Sequence, residues 1–541
     1  MGRHAGLCLT GVALILMCSS NLAAPLERPG STGTLDNLLI DDSTWIAAND
    51  VLIFAGNTGI LARDRTGTFG WDAGFFYPFT AVDDIINGIN TKTVMYAAGV
   101  WVGGRVNDSI RISMSQYSSE YWPGPMINGS FDTNAVDDAG YRVYSLYADS
   151  LAGNPNQSYL NWPTDQGAPV DGDGNPAMRG DQLLWAVFND ANPDQHGVLG
   201  GDTDPLGIEI RQMIWGADNP DQTTAVFVQY TMLNHGSNVI DSCFVVFWTD
   251  PDLGWAGDDL IGCDSVDNIF YCYNGDAEDD LANGGYGMQP PAVGVKLLAG
   301  PLVPSPGDTA IFDRTLVPDY RNLDLYSVVT YPTGGDPAVV AESWNVVRGL
   351  NVNGTTKINP VSGLPSRMWM TGDPVGGTGW LDTAPADRVM MAAVGPFTFN
   401  PGDSQFVLLK IAVGQGTNHL SSITDLRAVL NNPAGTPTGV GDDPRVSLPL
   451  SASLEQNYPN PFNPSTVIRY TLPVQSDARL TVYNVLGQEV ATLVDRNQPA
   501  GTHSVIWNGC DSRGMPVASG VYYYRLSTEA FSDARKMVLI R

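Results

Sequence analysis

Histidine, lysine and glutamate are scarce in these 541 residues: five His, five Lys and eight Glu, which leaves 49 Asp among the 57 acids. His196, His235, His419 and His503 stand in no metal-ligand or triad spacing. The sequence therefore gives no support to a His-based zinc centre or a Ser-His-Asp triad. No G-x-S-x-G elbow, P-loop lysine motif or Cys-His pairing occurs either. Charged residues make up only 16%, and the net charge is −29. That balance argues against nucleic acid and anionic membrane as partners. No fixed-period repeat is present, which disfavours a propeller or solenoid. Helix signals are few, the best being Ser421–Leu430. Beyond the first residues no apolar run is long enough to cross a bilayer as a helix.

What remains is apolar and rich in turn formers. Hydrophobic residues make up 43%, with 59 Gly and 37 Pro. Runs such as Met95–Gly104, Gln182–Asn189, Gly207–Trp215, Ala225–Asn234, Cys243–Trp248 and Gln405–Val413 are bounded by Gly, Pro, Asn and Asp. Several are apolar on both faces, as strands inside packed sheets are. The expected fold is mainly β: a multidomain antiparallel β-sandwich cargo over residues 35–431, of one or two sandwiches, and a small sandwich at the end. Residues 1–24 read as a signal peptide, with Arg3 and His4, the apolar stretch Leu7–Met17, and small Ala23 and Ala24. Cys18 offers a lipoprotein alternative, although Met17 is a poor residue before it. Residues 432–452 lack periodicity and are rich in Pro and Gly, as a linker is.

Residues 453–541 carry the most specific signal. They open with Leu454-Glu-Gln-Asn-Tyr-Pro-Asn-Pro-Phe-Asn-Pro-Ser-Thr466 and close with Arg535-Lys-Met-Val-Leu-Ile-Arg541. Between these, apolar residues alternate: Ile468, Tyr470 and Leu472; Leu480 and Val482; Val505 and Trp507; Tyr522, Tyr524 and Leu526. Turn formers separate the runs at Gly487, Ala500-Gly501 and Asn508–Gly514. The segment resembles the type A C-terminal sorting domain of the type IX secretion system and, more distantly, the Ig-like domain of flagellar hook-capping proteins. The resemblance implies an Ig-like sandwich read by the type IX secretion machinery, and cargo passing through the periplasm to be secreted or attached to the outer-membrane surface. The order of phrases in the cargo is also similar to that of large exported proteins carrying such a domain, which implies a location and no reaction.

Two acidic stretches are candidate Ca²⁺ sites, because oxygen-only ligands without His or Cys favour a hard cation. Asp250, Asp252, Asp258, Asp259 and Asp264 crowd one connection, and no Lys or Arg occurs between Arg211 and Lys296 to balance them. Asp171, Asp173 and Asn175 place oxygens at alternate positions as a calcium loop begins. Pro176 and Gln182, however, stand where an EF-hand needs Gly and Glu. If the runs on either side of the first stretch form a hairpin, Cys243 faces Cys272, and a disulfide is expected there. Cys263–Cys272 is the runner-up and buried free thiols the remaining possibility. Glu120 beside Tyr121-Trp122 and Glu342 beside Trp344 are the carboxylates a glycosidase would use. Thirteen Trp could form a sugar platform, but most sit in apolar runs. The leading expectation is an exported noncatalytic surface or extracellular protein. The alternatives are a binder of glycan or surface polysaccharide and a secreted hydrolase.

Overall fold

Strands that are apolar on both faces need cover on both faces, and the fold supplies it. The computed structural model describes residues 42–47, 50–65, 74–135, 139–148, 155–197, 199, 202–216, 222–433 and, between 453 and 540, all but 455, 458–459, 463, 465, 473–475, 499–500, 514 and 529–530. The expected signal segment, and the linker apart from residues 432–433, lie outside these.

Two large antiparallel sheets form the region before residue 433, with a two-stranded pair, Leu302–Phe312 and Thr315–Asn322, beside them. The first runs Leu325–Pro332, Arg388–Phe399, Ile240–Asp250, Ala97–Val106, Ile60–Leu61, Leu52–Gly56, Phe75–Phe76 and Thr93–Met95, with Ser43–Ile46 and Ser109–Ser113 attached at its side. The second runs Asp259–Asp264, Ile269–Asn274, Ala292–Ala299, Ser404–Gly414, Ala225–Asn234, Ile208–Gly216, Gln182–Asn189 and Trp122–Pro123, with Tyr144–Tyr147 attached. Inner-face residues of both, including Val100, Val245, Met390, Val228, Ile411 and Phe270, share one buried core. The outer face of the first sheet buries Trp101, Trp248 and Phe244 under Trp344 of the helix Val340–Val347 and under Trp369 and Trp380. On the second sheet the helix His419–Asn431 covers Tyr271 and Tyr273 with Ile423, Leu426 and Leu430. An Asn418–Ser421 capping box starts that helix.

The outer face of the second sheet also carries a row of two rings flanked by cations. Trp215, Phe227 and Lys410 are cross-strand partners in turn, and Lys410 is partnered by Lys296. The rings of Trp215 and Phe227 stack 5.3 Å apart at 8°. Arg179 lies 5.0 Å from the Trp215 ring and pairs with Asp313. The Lys410 ammonium lies 5.5 Å from the Phe227 ring and donates to the Val429 and Asn432 carbonyls at 2.6 and 3.0 Å, closing the C-terminus of the long helix. Burial, and then Lys296, pull the Lys410 pKa down to about 8.

The sheet order corrects the expected hairpin. Ile240–Asp250 belongs to the first sheet, whereas Asp259–Asp264 and Ile269–Asn274 belong to the second. The acidic connection therefore passes from one sheet to the other. Cys243 sits opposite Phe397, and Cys272 opposite Ile261 and Val293. The expected Cys243–Cys272 bridge is not formed: the two residues are not cross-strand partners, since their strands belong to different sheets, and both are free. Cys263 and Cys272, diagonal across one strand pair, are not bridged either. All three are buried free thiols, and burial pushes each thiol pKa up, that of Cys263 to about 12.

The end of the chain forms an Ig-like pair of sheets. One is Ser453–Leu454, Thr466–Leu472 and Gly501–Trp507. The other is Glu489–Gln498, Ser476–Asn484, Gly520–Ser527 and Ser532–Leu539. Ile468, Tyr470, Leu472, Leu480, Val482, Trp507, Tyr522, Tyr524 and Leu526 fill the core between them, as the period of two requires. The motif that opens the segment fastens it. The Asn457 backbone donates to the Tyr524 hydroxyl at 2.7 Å and its side chain to Thr466 Oγ1 at 2.9 Å. Phe462 packs 5.6 Å from Trp507 and exchanges backbone bonds with Val538 and Ile540, and Asn460 Oδ1 accepts from the Val538 N–H at 2.9 Å. The Asn-Pro-Phe stretch thus runs beside the last strand as its neighbour.

Candidate functional site

Neighbouring strands of the first sheet end together at one rim. Ile240–Asp250 ends there, Arg388–Phe399 begins there and Leu325–Pro332 ends there, with Pro332 opposite Arg388 and Thr249 opposite Met390. This brings Asp250, Asp252 and Asp387 together: one carboxylate oxygen from each lies within 4.8 Å of the other two. The Thr333 hydroxyl contacts Asp387 Oδ1 and lies 3.4 Å from Asp250 Oδ1. Tyr117, edge-on to Trp248 at 4.9 Å, donates its hydroxyl to Asp250 Oδ2 at 2.7 Å. Asp252 Oδ1 is shielded from solvent and meets no donor.

No Lys or Arg forms an ion pair with these three among the described residues. Arg388 is turned to Asp382 at 3.4 Å, and Arg63 lies over the Tyr96 and Tyr117 rings at 5.7 and 5.9 Å. Burial, with further contributions from Asp387 and Asp336, pushes Asp250 up to about 7. Burial, then Asp250 and Asp387, pushes Asp252 up to about 8. Such a group favours a cation, which would replace the missing counter-charge with oxygen-bound charge.

The other expected ligands are placed as follows. Asp258 and Asp259 lie further along the same connection. Asp259 is fully buried, accepts the Leu253 N–H at 3.1 Å and has the Cys272 thiol beside it. Burial raises both carboxyls, Asp258 to about 6. Asp264 sits at the far end of the strand Asp259–Asp264, about 17 Å along at the usual strand rise. There it accepts the N–H groups of Val266 and Asp267 and closes a turn. Asp171 Oδ1 accepts the N–H groups of Asp173 and Asn175, both at 2.9 Å, so that exposed loop is held by its own backbone. The sequence reading did not include Asp387, Thr333 or Tyr117. The only signal for Asp387 was its place just before an apolar strand.

The carboxylates considered for glycoside chemistry are engaged in structural contacts. Glu120 is fully buried, accepts the Met114 and Leu199 N–H groups at 3.1 and 3.3 Å, and is pushed up to about 8 by burial. Nearby Asp190, also fully buried, takes Ser113 Oγ and the N–H groups of Leu206, Gly207 and Ile208 at 2.6–2.9 Å. His196 Nε2 lies 2.8 Å from the Asp190 carbonyl. Gly207 makes this nest possible: its φ is +85°, and a Cβ there would meet the Gly236 Cα at 2.8 Å. Glu342 accepts the Ala338 N–H at the start of its own helix. Ten tryptophans are buried, nine of them in the core clusters, and Trp255 is 37% exposed, so no row of exposed Trp forms among the described residues.

No curated protein matches the sequence. Similar solved structures include a polysaccharide lyase, with 10% identity over 61% of this chain and 34% of the lyase and a TM-score of 0.18. Dimeric latent PorU from Porphyromonas gingivalis has 9% identity over 61% of this chain and 26% of its own, with a TM-score of 0.15. PorZ of the same organism, a surface component of its type IX secretion system, has 11% identity over 69% and 46%, with a TM-score of 0.14. The matches span less than half of each of these proteins, and at such scores none carries an argument for this chain. The match within the sequence is more specific: residues 463–530 match the FlgD Ig-like domain family.

Proposed function

We propose that the protein is an exported, noncatalytic component of the cell surface or extracellular space, and that residues 453–541 are the address read by the type IX secretion machinery. The observation that supports this reading is the Ig-like domain in which Asn457 is held by Tyr524 and Thr466, while Asn460 and Phe462 are fastened to the last strand. That ties the two stretches carrying the family resemblance into one surface. Deletion of Ser453–Arg541 in the producing cell tests it. Cargo is expected to stay in the periplasm, and truncated protein reaching the surface as efficiently as the intact chain would overturn the assignment. Glycan binding and hydrolysis remain weaker alternatives, given the burial of the tryptophans and the backbone bonds that hold Glu120 and Glu342.

The acidic rim supports a second element of the proposal, a Ca²⁺ held by Asp250, Asp252 and Asp387. Adding Ca²⁺ to chelator-treated protein should raise the calorimetric melting temperature, with a gain of about 2.7 kcal/mol at a hundredfold excess over Kd. Asp252→Ala combined with Asp387→Ala should abolish the shift, and Asp264→Ala should leave it intact. A shift that survives the first pair, or that is absent from the parent at millimolar Ca²⁺, rejects the site.

A further inference from the structure

The Ig-like domain exposes one sheet face whose chemistry differs from the rest of the chain. Of the 28 Lys and Arg, eight lie in residues 453–541 against seven acids, while the chain as a whole carries −29. On the outer face of the four-stranded sheet, Tyr483, Tyr523 and Lys536 stand in one cross-strand row, and Thr481, Arg525 and Ala534 in the next. Beside the small Ala534 lies a shallow, open depression of about 400 Å³ lined by Tyr483, Asn484, Val485, Gly487, Tyr523 and Arg525. Tyr523 is 42% exposed, and Val485 and Leu486 in the adjoining turn are 66% and 78% exposed.

The cations of this face fall into two kinds. Arg479 is taken up by Glu489 at 3.4 Å and Asp495 at 4.0 Å. Arg525 donates Nε to Ser532 Oγ at 2.9 Å, and neither it nor Lys536 forms an ion pair among the described residues. Two cations without carboxylates flank the exposed Tyr523, with aliphatic side chains in the adjoining turn. Tyr and Arg are the residues that concentrate binding energy at interfaces.

We infer that this face docks an acidic segment of a partner protein, with its carboxylates on Arg525 and Lys536 and an apolar side chain against Tyr523, Val485 and Leu486. Charge complementarity selects the partner's sign, since the rest of this chain repels acidic segments. The exposed aliphatic side chains of Val485 and Leu486 in the adjoining turn select a polypeptide, which can supply an apolar side chain, over an anionic polysaccharide.

The test uses the full chain and two probes: a fluorescent peptide alternating Asp with Leu, and polygalacturonate. The peptide should bind saturably and more weakly as salt is raised. Arg525→Glu with Lys536→Glu should weaken binding at least tenfold, and Leu486→Ser alone should weaken it severalfold. Arg513→Glu, a charge reversal at an exposed arginine elsewhere in the domain, should leave it unchanged. Absence of saturable peptide binding, indifference to these substitutions, or equally tight binding of polygalacturonate through Arg525 and Lys536 would each overturn the proposal.

Discussion

Asp190→Ala is expected to destabilise the two-sheet region by about 3–5 kcal/mol, the cost of breaking a buried hydrogen-bond network around a carboxylate. The carboxylate satisfies three consecutive backbone N–H groups and the Ser113 hydroxyl inside a site closed to water. Removing it strands those donors, each of which then bears a desolvation penalty of about 1–3 kcal/mol. Asp190→Asn discriminates this account from simple loss of volume. An amide oxygen in the Oδ1 position keeps Gly207 and Ile208, and Ser113 can turn to accept from the new amide. The Leu206 N–H, however, would face another donor. Asn should therefore cost roughly half as much as Ala. Equal effects of the two substitutions, measured by urea unfolding, would mean that shape rather than hydrogen bonding holds this loop.

Phe227→Ala should cost about 3–5 kcal/mol through the cavity it leaves. The effect should fall at the upper end, because the ring also stacks on Trp215 and faces the buried Lys410 ammonium. A desolvated cation–ring contact is worth about 2 kcal/mol. Phe227→Leu retains much of the apolar volume and loses the ring, so it separates the two contributions. The denaturation midpoint should fall in both variants with an unchanged slope. A Leu variant as stable as the parent would show that the aromatic row contributes volume alone.

How much of this could be read from the sequence depended on how local the signal was. Leu480 with Val482, and Tyr522 with Tyr524 and Leu526, announce an inner face because a strand alternates its side chains every residue. The helix over Ser421–Leu430 was legible from its own pattern and lies within His419–Asn431. Sheet membership was not legible. Ile240–Asp250 and Ile269–Asn274 are apolar on both faces, so neither shows by its pattern which sheet it joins, and the Cys243–Cys272 pairing failed for that reason. Asp250 and Asp252 were visible as part of an unbalanced acidic run. Asp387 reaches them only through the pairing of its strand with Ile240–Asp250. Asp264 looked like a fellow ligand because composition does not distinguish a turn-closing carboxylate from a free one.

The strand order of the first sheet has a kinetic consequence. Ala97–Val106 waits for Ile240–Asp250, which in turn waits for Arg388–Phe399, and Ala225–Asn234 in the second sheet waits for Ser404–Gly414. Non-local pairings of this kind demand loop closure before they return any energy, and they make folding slow. A chain emerging from its N-terminus cannot complete either sheet until nearly all of the cargo is available. The early strands then remain open, with their apolar faces exposed, for as long as delivery of the remainder takes. Such a chain depends on protection from aggregation until residue 414 is available for pairing.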